Sequence, residues 1–314
     1  MGAYIDFNNH IHISMENNEN GVLRYIGYED IDDEFIQTLS ANKKVRWVQI
    51  SEYLPDEAYS AIDRIFEARP DMTFRLFHFF DCEKLDISFL LTMPHMHRLQ
   101  IDSITGLRDN PDKIDFNILE KLPLKSLSLN CFGLRDYYFI KNLSEGLEEL
   151  TIYADVPSGS IKYDNEWLLR YRNLNTLWIG KKANKHFESL YELSSLRSLS
   201  LRGIKIKDFS FLKKMNLEKI SLLWNSNNDL HEFAELTGLK EIELWRINKL
   251  DDISFIESLT DLEVIKLQDL KHIKRLPNLS RHMNLKHIYL IDTGIDEETL
   301  PGRIREIVEH WDNR

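Results

Sequence analysis

Three six-residue stretches decide the fold of this chain: Leu196-Arg197-Ser198-Leu199-Ser200-Leu201, Leu239-Lys240-Glu241-Ile242-Glu243-Leu244 and Leu285-Lys286-His287-Ile288-Tyr289-Leu290. In each stretch, apolar residues occupy positions one, four and six. Positions four and six point to one side, as alternate residues of a β-strand do, so positions three, five and seven point to the other. A single strand of this kind has no partner in its own copy. Neighbouring copies must therefore stack side by side to pair their backbones.

The same pattern recurs along most of the chain. Further copies begin at Phe74, Met96, Leu124, Leu147, Leu174, Leu217 and Leu262, and a weaker copy begins at Val45. Subtracting neighbouring starts gives steps of 29, 22, 28, 23, 27, 22, 21, 22, 23 and 23 residues. A repeat with this period and pattern resembles the leucine-rich-repeat family. The 21- to 23-residue units are most similar to bacterial internalin-type repeats, and Ile206-Lys207-Asp208 and Ile295-Asp296 also fit that type.

The resemblance implies an α/β fold, a leucine-rich-repeat solenoid or horseshoe. A parallel β-sheet would line its concave face, and short helices or turns would form the convex side. The repeats depart from the family at position nine, where a ladder of Asn is expected but only Asn225 provides one. Apolar residues such as Ile204 and Ile247 stand there instead. The array is therefore predicted to be divergent, with most of the side-chain ladder replaced by apolar packing.

The sequence predicts three regions: an N-terminal cap over 1–44, an array of about eleven repeats over 45–295 and a helical cap over 296–314. Within the first cap we expect a hairpin of strands 10–14 and 22–26, followed by a helix over 31–39. The last cap is predicted to be a helix over 296–311, with an apolar face formed by Ile304, Ile307, Val308 and Trp311. The three longest units are predicted to contain helices over 55–68, 110–122 and 164–171.

The amino-acid composition limits which class of partner and which cellular location we expect. The net charge is −11, from 40 basic and 51 acidic side chains, which argues against nucleic acid because duplex binding needs a basic surface. The same charge suits a basic protein partner. The first thirty residues show no signal-peptide pattern, no apolar run reaches the length of a membrane span, and only two cysteines occur. We therefore expect a cytoplasmic protein that does not bind membranes.

Residues with catalytic or metal-binding potential are sparse. His10 and His12 stand two apart, as do His95 and His97, but metal sites need three or four ligands and neither pair has a further ligand at fixed spacing. The acidic run 29–34 lacks the glycine and spacing of a calcium loop. No phosphate-binding glycine loop and no nucleophile in a Gly-x-Ser-x-Gly turn is present. The sequence predicts no catalytic residues, no metal and no cofactor.

The face formed by positions three, five and seven is the predicted binding surface. It carries aromatic and charged residues where solubility alone would favour a uniformly polar face. The candidate partner-binding residues are Tyr153, Trp178, Arg202, Lys219, Trp224, Glu241, Glu243, Trp245, Arg246, Lys266 and Tyr289. An alternative stays open, because a register shift of one residue would bury the tryptophans in the core. Self-association of the chain would also cover them, and the sequence leaves the oligomeric state undetermined.

These features predict a non-catalytic protein that binds a macromolecular partner, another protein, with its concave face. A narrower form of this function is a bacterial immunity or inhibitor protein that neutralises a toxin or effector. A further alternative is an internalin-like surface adhesin. The absence of a signal pattern, an anchor and disulfide caps favours the first two over the adhesin.

Overall fold

The structure, a computed structural model, describes residues 9–19, 24–79, 83–206, 208–227, 229–296, 298 and 300–309. The chain consists of two compact units, Met1–Tyr163 and Asp164–Arg314. Each unit contains a β-sheet built from successive repeats, with short helical turns returning from one strand to the next.

The first unit contains a mostly parallel sheet. Its strands are β1 (His10–Ser14), β2 (Asn18–Glu19), β3 (Arg24–Gly27), β4 (Trp47–Ile50), β5 (Thr73–Phe77), β6 (Arg98–Ile104), β7 (Ser126–Cys131) and β8 (Glu149–Ile152). They lie in the order β2-β3-β1-β4-β5-β6-β7-β8, and only the β2–β3 pair is antiparallel.

The second unit contains a fully parallel sheet in chain order. Its strands are β9 (Thr176–Gly180), β10 (Ser198–Arg202), β11 (Lys219–Leu223), β12 (Glu241–Trp245), β13 (Val264–Gln268), β14 (His287–Ile291) and β15 (Val308–Glu309). Equal repeat positions pair across neighbouring strands, so that Lys219 lies opposite Glu241 and Ser221 opposite Glu243. The predicted core positions are buried, as Leu199, Ile242 and Ile288 show with 0% exposure. The predicted leucine-rich-repeat solenoid is therefore confirmed.

The residue after each strand, position eight, adopts a left-handed backbone in most repeats. In the second unit the positive φ angles belong to Lys181 (42°), Gly203 (62°), Trp224 (54°), Arg246 (51°), Asp269 (53°) and Asp292 (49°). This conformation costs about 1–2 kcal/mol for a residue other than glycine. It turns the chain away from the sheet while the backbone N–H still bonds the next strand, as Trp224 N donates to the Trp245 carbonyl at 2.7 Å.

Position nine then returns the chain to the core. Ile204, Ile247 and Leu270 are almost fully buried there, as the apolar pattern predicts. Asn225 is also buried, and its Nδ2 donates to the Ile204 carbonyl at 2.8 Å while its Oδ1 accepts from the Asn227 N–H. The single predicted position-nine asparagine thus bonds turn backbone in place of an apolar contact.

The return segments are mostly 3₁₀ helices, because units of this length leave room for only one or two turns. They span Tyr28–Asp30, Ser88–Thr92, Pro111–Lys113, Phe116–Lys121, Tyr138–Asn142, Asn165–Arg170, Phe187–Glu192, Ser210–Lys214, His231–Glu235 and Ser254–Ser258. In the second unit, Phe209, Phe233 and Phe255 pack edge to face, with ring centroids 5.2 and 5.7 Å apart. This row of rings closes the core opposite the sheet.

Three α-helices occur in the described residues: α1 (Asp33–Ala41), α2 (Asp56–Ala68) and α3 (Gly302–Glu306). The helix predicted over 55–68 is confirmed by α2, whose apolar face is buried. The helices predicted over 110–122 and 164–171 are wrong in type, since both segments form 3₁₀ turns. In the first, Ile114 has an extended backbone (ψ 130°) that separates two short turns.

The predicted N-terminal hairpin is wrong in its pairing. β1 runs parallel to both β3 and β4, so it extends the repeat sheet and does not fold back on β3. The short antiparallel pair is β2–β3, while Val22 and Leu23, part of the predicted second strand, lie outside the described residues. Ile11 and Ile13 are buried in the same alternation as repeat positions four and six, which explains why β1 joins the array.

The helix predicted over 296–311 is also wrong. Among the residues of this segment that the structure describes, α-helix is confined to the five residues of α3, and Val308 lies in β15, paired with Ile288. Pro301 immediately precedes the helix, and proline suits a helix start and not a helix interior. Ile304 is buried as predicted, and Trp311 lies outside the described residues.

The copy placed at Phe74 is three residues out of register. Phe74 pairs with Val48 and Leu99, so it occupies position four and not position one. Leu76, which the Phe74 start would place on the binding face, is consequently fully buried. The error arises because Phe74, Phe77 and Phe79 are apolar at positions one, four and six of the wrong alignment, whereas the correct alignment has the polar Asp71 at position one.

Candidate functional site

The open face of the second unit's sheet is the surface formed by positions three, five and seven of β9–β14. Seven predicted residues lie on it: Arg202, Lys219, Glu241, Glu243, Trp245, Lys266 and Tyr289. Trp178 lies on the same face in β9, and Trp224 and Arg246 follow at position eight. Tyr153 belongs to the other unit, where it follows β8 and is half-buried. The tryptophans of this face are not in the core.

Four of these residues and Asp269 form what we call the tryptophan cluster: Arg202, Trp224, Trp245, Arg246 and Asp269. The Trp224 and Trp245 rings meet edge to face at 87°, with centroids 5.8 Å apart. The guanidinium carbons of Arg202 and Arg246 lie 4.7 and 4.9 Å from the Trp224 ring centroid. Trp224 nevertheless remains 40% exposed. Cations near an indole face are attracted by its quadrupole, so the ring is held in place without being covered.

Asp269 fixes the rest of this cluster. Its Oδ2 accepts the Trp245 Nε1–H at 2.7 Å and two bonds from Arg246, from Nε at 3.1 Å and Nη2 at 2.9 Å. Burial raises the pKa of Asp269, but the Trp245 hydrogen bond and the Arg246 charge outweigh it and hold the pKa below its usual range. The carboxylate is therefore charged at neutral pH and orients the Trp245 indole.

Next to the cluster, Glu241 joins two lysines from neighbouring strands. Lys219 Nζ lies 3.0 Å and Lys266 Nζ 2.7 Å from Glu241 Oε1. Burial raises the pKa of Glu241, and the two lysine hydrogen bonds lower it by more, so the net pKa is lowered. Burial likewise lowers the pKa of Lys266, while the bond to Glu241 raises it above its usual value. Glu241 and Lys266 are therefore both charged at neutral pH.

Tyr289 and His287 lie at the β14 end of the open face. Their rings are stacked with centroids 6.2 Å apart, and Lys266 Nζ lies 5.8 Å from the Tyr289 ring centroid. His287 also bonds Glu309 of β15 through Nδ1. The aromatic and charged residues of this face thus contact one another across strands and do not stand singly.

Sequence reasoning missed Asp269 and Ser221. Asp269 stands one residue past β13, where only the stacking of repeats brings it against Trp245 and Arg246. Ser221 lies at position five of β11, is 1% exposed, and its Oγ has no hydrogen-bond partner among the described residues. No signal in the sequence marks Ser221, whereas a charged residue at position eight beside Arg246 could have indicated Asp269.

One group of possible metal ligands lies elsewhere in the second unit. Asp164, Glu166 and His186 place one ligand atom each within 4.8 Å of one another. The Asp164 carboxylate is already bonded by the Glu166 N–H, by His186 Nδ1 at 2.9 Å and by Lys185 Nζ at 2.8 Å. A lysine ammonium takes the place that a metal cation would need, so the arrangement is an ion-pair network.

The histidine pairs noted in the sequence have other contacts. His12 is buried, with Nδ1 at 3.2 Å from Gln49 Nε2. His95 Nδ1 bonds Asp63 Oδ2 at 2.8 Å, and His97 Nδ1 lies 3.0 Å from the Pro123 carbonyl. The Asp63 hydrogen bond raises the pKa of His95 despite an opposing effect of desolvation. In the parts of the chain that the structure describes, neither pair belongs to a group of three metal ligands.

Among the helices that the structure describes, none combines the length and apolar character needed to cross a membrane. The repeats and their parallel strands give the chain a leucine-rich-repeat fold. No protein-family model and no curated protein sequence matches the chain.

Solved structures similar to the chain include internalin C2 from Listeria monocytogenes. It is 20% identical, with a TM-score of 0.47 over 62% of this chain and 83% of that one. A second internalin from the same organism is 17% identical, with a TM-score of 0.42 over 90% and 94% of the two chains. A leucine-rich-repeat protein from Leptospira interrogans is 14% identical, with a TM-score of 0.40 over 90% and 92%. These likenesses concern the fold alone.

Proposed function

We propose that the chain is a non-catalytic binding protein that holds a protein partner on the open face of its second unit. The observation that carries this proposal is the tryptophan cluster, in which an exposed indole is fixed by two guanidinium groups and a second indole. Tryptophan and arginine are the residues that most often dominate binding energy at protein interfaces. A surface that is already ordered loses little conformational entropy when it binds.

The remaining candidate residues support the same role. Lys219, Glu241 and Lys266 present charges of both signs beside the cluster, and charge patterns of this kind select partners and set the binding register. Trp178 and Tyr289 extend the aromatic area along the face, and we include Tyr153 of the first unit in the proposed binding set.

The proposal also covers the type of partner and the cellular location. We propose a protein partner of basic character in the cytoplasm, with no role for nucleic acid or membranes. The net charge of −11, which the first unit carries, supports attraction of a basic partner to the molecule as a whole. Cys131 is a buried free thiol whose pKa is raised by burial, which suits a reducing compartment. We further propose that the repeats over 45–295 act as one array between caps over 1–44 and 296–314.

Affinity capture from the native cell lysate with matched variants tests the function. A Trp224→Ala/Trp245→Ala double variant removes both indoles, and Tyr191→Ala is the control. Tyr191 is a 39% exposed aromatic residue on a return segment, with its own cation contact to Lys214. We expect one protein to be captured by the parent and by Tyr191→Ala but lost by the double variant, since each indole contributes more than about 1 kcal/mol.

The melting temperature of each variant shows whether the fold is retained. If a folded double variant captures the same protein as the parent, the binding site lies elsewhere on the chain. If the parent captures no protein under conditions that preserve cytosolic complexes, the proposed cytoplasmic protein partner is contradicted.

A further inference from the structure

The open face carries one carboxylate that is not neutralised by a direct contact. Glu243 stands at position five of β12 and is half-buried. Among the described residues, none forms an ion pair or a hydrogen bond with it. Lys266 lies directly opposite Glu243 in the strand pairing and attracts it electrostatically, but the Lys266 ammonium, like that of Lys219, bonds Glu241 instead. The acceptor capacity of Glu243, two oxygens with about four lone-pair sites, is therefore available to a ligand.

A second unsatisfied polar group lies beside it. Ser221 of β11 is directly opposite Glu243 in the strand pairing and on the same face, and neighbouring strands lie about 4.8 Å apart. Its hydroxyl is buried and makes no hydrogen bond with any described residue. Buried hydroxyl groups without a partner are rare because they lose their hydrogen bonds to water on folding. The hydroxyl is thus an acceptor without a bond, which a ligand reaches only when the side chains that cover it move aside.

A fixed aromatic ring completes the arrangement. Trp245 follows Glu243 by two residues on the same strand and face. Its indole is oriented by the Nε1 bond to Asp269 and by edge contact with Trp224. A carboxylate next to a fixed indole suits a guanidinium group, because this planar cation donates paired hydrogen bonds to a carboxylate and stacks on an aromatic face. A lysine ammonium has no planar surface to stack.

We propose that Glu243, Ser221 and Trp245 form the binding site for an arginine side chain of the protein partner. The guanidinium donates hydrogen bonds to the Glu243 carboxylate and to Ser221 Oγ, and it lies against the Trp245 indole. This assignment deepens the proposed binding function and rests on it. An acidic side chain at the same place would bring two carboxylates together, and like charges in contact repel.

The preference of this site for a basic side chain depends on individual charges and not on the net charge of the unit. Asp164–Arg314 contains as many basic as acidic side chains, so the net charge of −11 comes from the first unit. Attraction of a basic group to this part of the open face must therefore come from an individual carboxylate. Glu241 is already bonded to two lysines, which leaves Glu243 for this role.

Capped glycine-X-glycine peptides, with X being arginine, lysine or glutamate, test the assignment on the full chain. The protein is labelled with 5-fluorotryptophan, and the Trp245 fluorine resonance is assigned with Trp245→Phe. Trp47 in the first unit serves as the internal reference. We expect the arginine peptide to shift the Trp245 resonance in a saturable way, the lysine peptide to bind several-fold more weakly, and the glutamate peptide to cause no shift.

Two variants and a control then identify the contacting groups. Glu243→Gln should weaken the arginine peptide at least about fivefold and Ser221→Ala about twofold, because the carboxylate offers an opposite charge and paired acceptors, whereas the hydroxyl is one uncharged acceptor. Glu218→Gln removes the same charge from an exposed residue, bonded to Lys240, that precedes β11, and should leave binding unchanged.

Unchanged affinity in Glu243→Gln, or equal shifts with the arginine and glutamate peptides, would overturn the site. Equal affinity for arginine and lysine would overturn the choice of arginine. These outcomes are independent of lysate capture. If capture requires Trp224 and Trp245 while the peptides ignore Glu243, the arginine site fails and the binding function stands.

Discussion

His12 makes the stability of the first unit depend on pH in a way that the structure predicts quantitatively. Its ring is 8% exposed, contacts the Tyr25 ring edge-on at 4.3 Å and lies 3.2 Å from Gln49 Nε2. Burial, with a smaller contribution from the charge of His10, lowers the pKa of His12 from 6.5 to about 4. The folded protein therefore holds this imidazole neutral across mildly acidic pH.

The sign and size of the effect follow from proton linkage. Between pH 6.5 and about 4 the unfolded chain binds a proton at His12 and the folded chain does not, so stability falls as pH falls through this window. Each pKa unit corresponds to 1.36 kcal/mol, which gives a loss of about 3 kcal/mol by pH 4. Above pH 6.5 the His12 contribution is constant.

Urea unfolding of the parent and His12→Asn at several pH values between 7.5 and 4 measures this loss. Asparagine places an acceptor near the position of Nδ1 but does not titrate, and the carboxylates titrate equally in both proteins. The parent should lose about 3 kcal/mol more than the variant between pH 7 and pH 4. Parallel stability curves for the two proteins would show that His12 is protonated in the folded state, and the argument from burial would be wrong.

Three further substitutions test the packing of the second unit. Leu199→Ala in the fully buried row of β10 should cost roughly 2–5 kcal/mol in a denaturant melt, and an unchanged stability would contradict the repeat register. Gly294→Ala would place a methyl 2.5 Å from the Lys271 carbonyl oxygen and should cost about 1–3 kcal/mol. Its control, Gly302→Ala, meets nothing within 4 Å and should leave the melting temperature equal or higher. Ser221→Ala removes the unpartnered hydroxyl and should be neutral or stabilising by about 1 kcal/mol, whereas a clear loss of stability would mean that the hydroxyl is hydrogen-bonded.

The strands and their core positions could be predicted because alternation and repeat length act together. A two-residue period fixes which side chains face inward, and the 21- to 23-residue step brings equal positions into register, as the pairing of Leu199 with Ile220 shows. Where the alternation was ambiguous, the prediction failed. Phe74, Phe77 and Phe79 match the repeat pattern in a wrong alignment, and only the pairing of Phe74 with Val48 selects the correct one.

The caps could not be predicted because their structure depends on pairing with the array. Neither the parallel pairing of β1 nor the β15 strand at Val308 has a local sequence signal that separates it from a hairpin or a helix. Ile304, Ile307 and Val308 have helical spacing, yet the α-helix described here ends at Glu306 and Val308 lies in a strand. The pairing of Val308 with Ile288 forms backbone hydrogen bonds with β14. A longer helix would not form these bonds.

The sequence could predict which residues lie on the candidate face but not which side chains they contact. Trp224 and Arg246 were identified from residue type, but their left-handed backbone is imposed by the repeat, since neither residue favours that conformation. The role of Asp269 depends on side chains 23 and 24 residues away in sequence. Whether these residues bind a partner stays a prediction for the capture and peptide experiments to decide.

The left-handed turn after each strand also bears on how this protein could change its specificity. Lysine, glycine, tryptophan, arginine and aspartate all occupy position eight with nearly the same φ. The backbone there is set by strand pairing on one side and the buried position nine on the other, so the side chain can be exchanged without rebuilding the ladder. Each repeat thus holds position eight at a fixed place in the fold, where different side chains can be accommodated. Single substitutions in this column could alter ligand preference stepwise while the solenoid beneath stays the same.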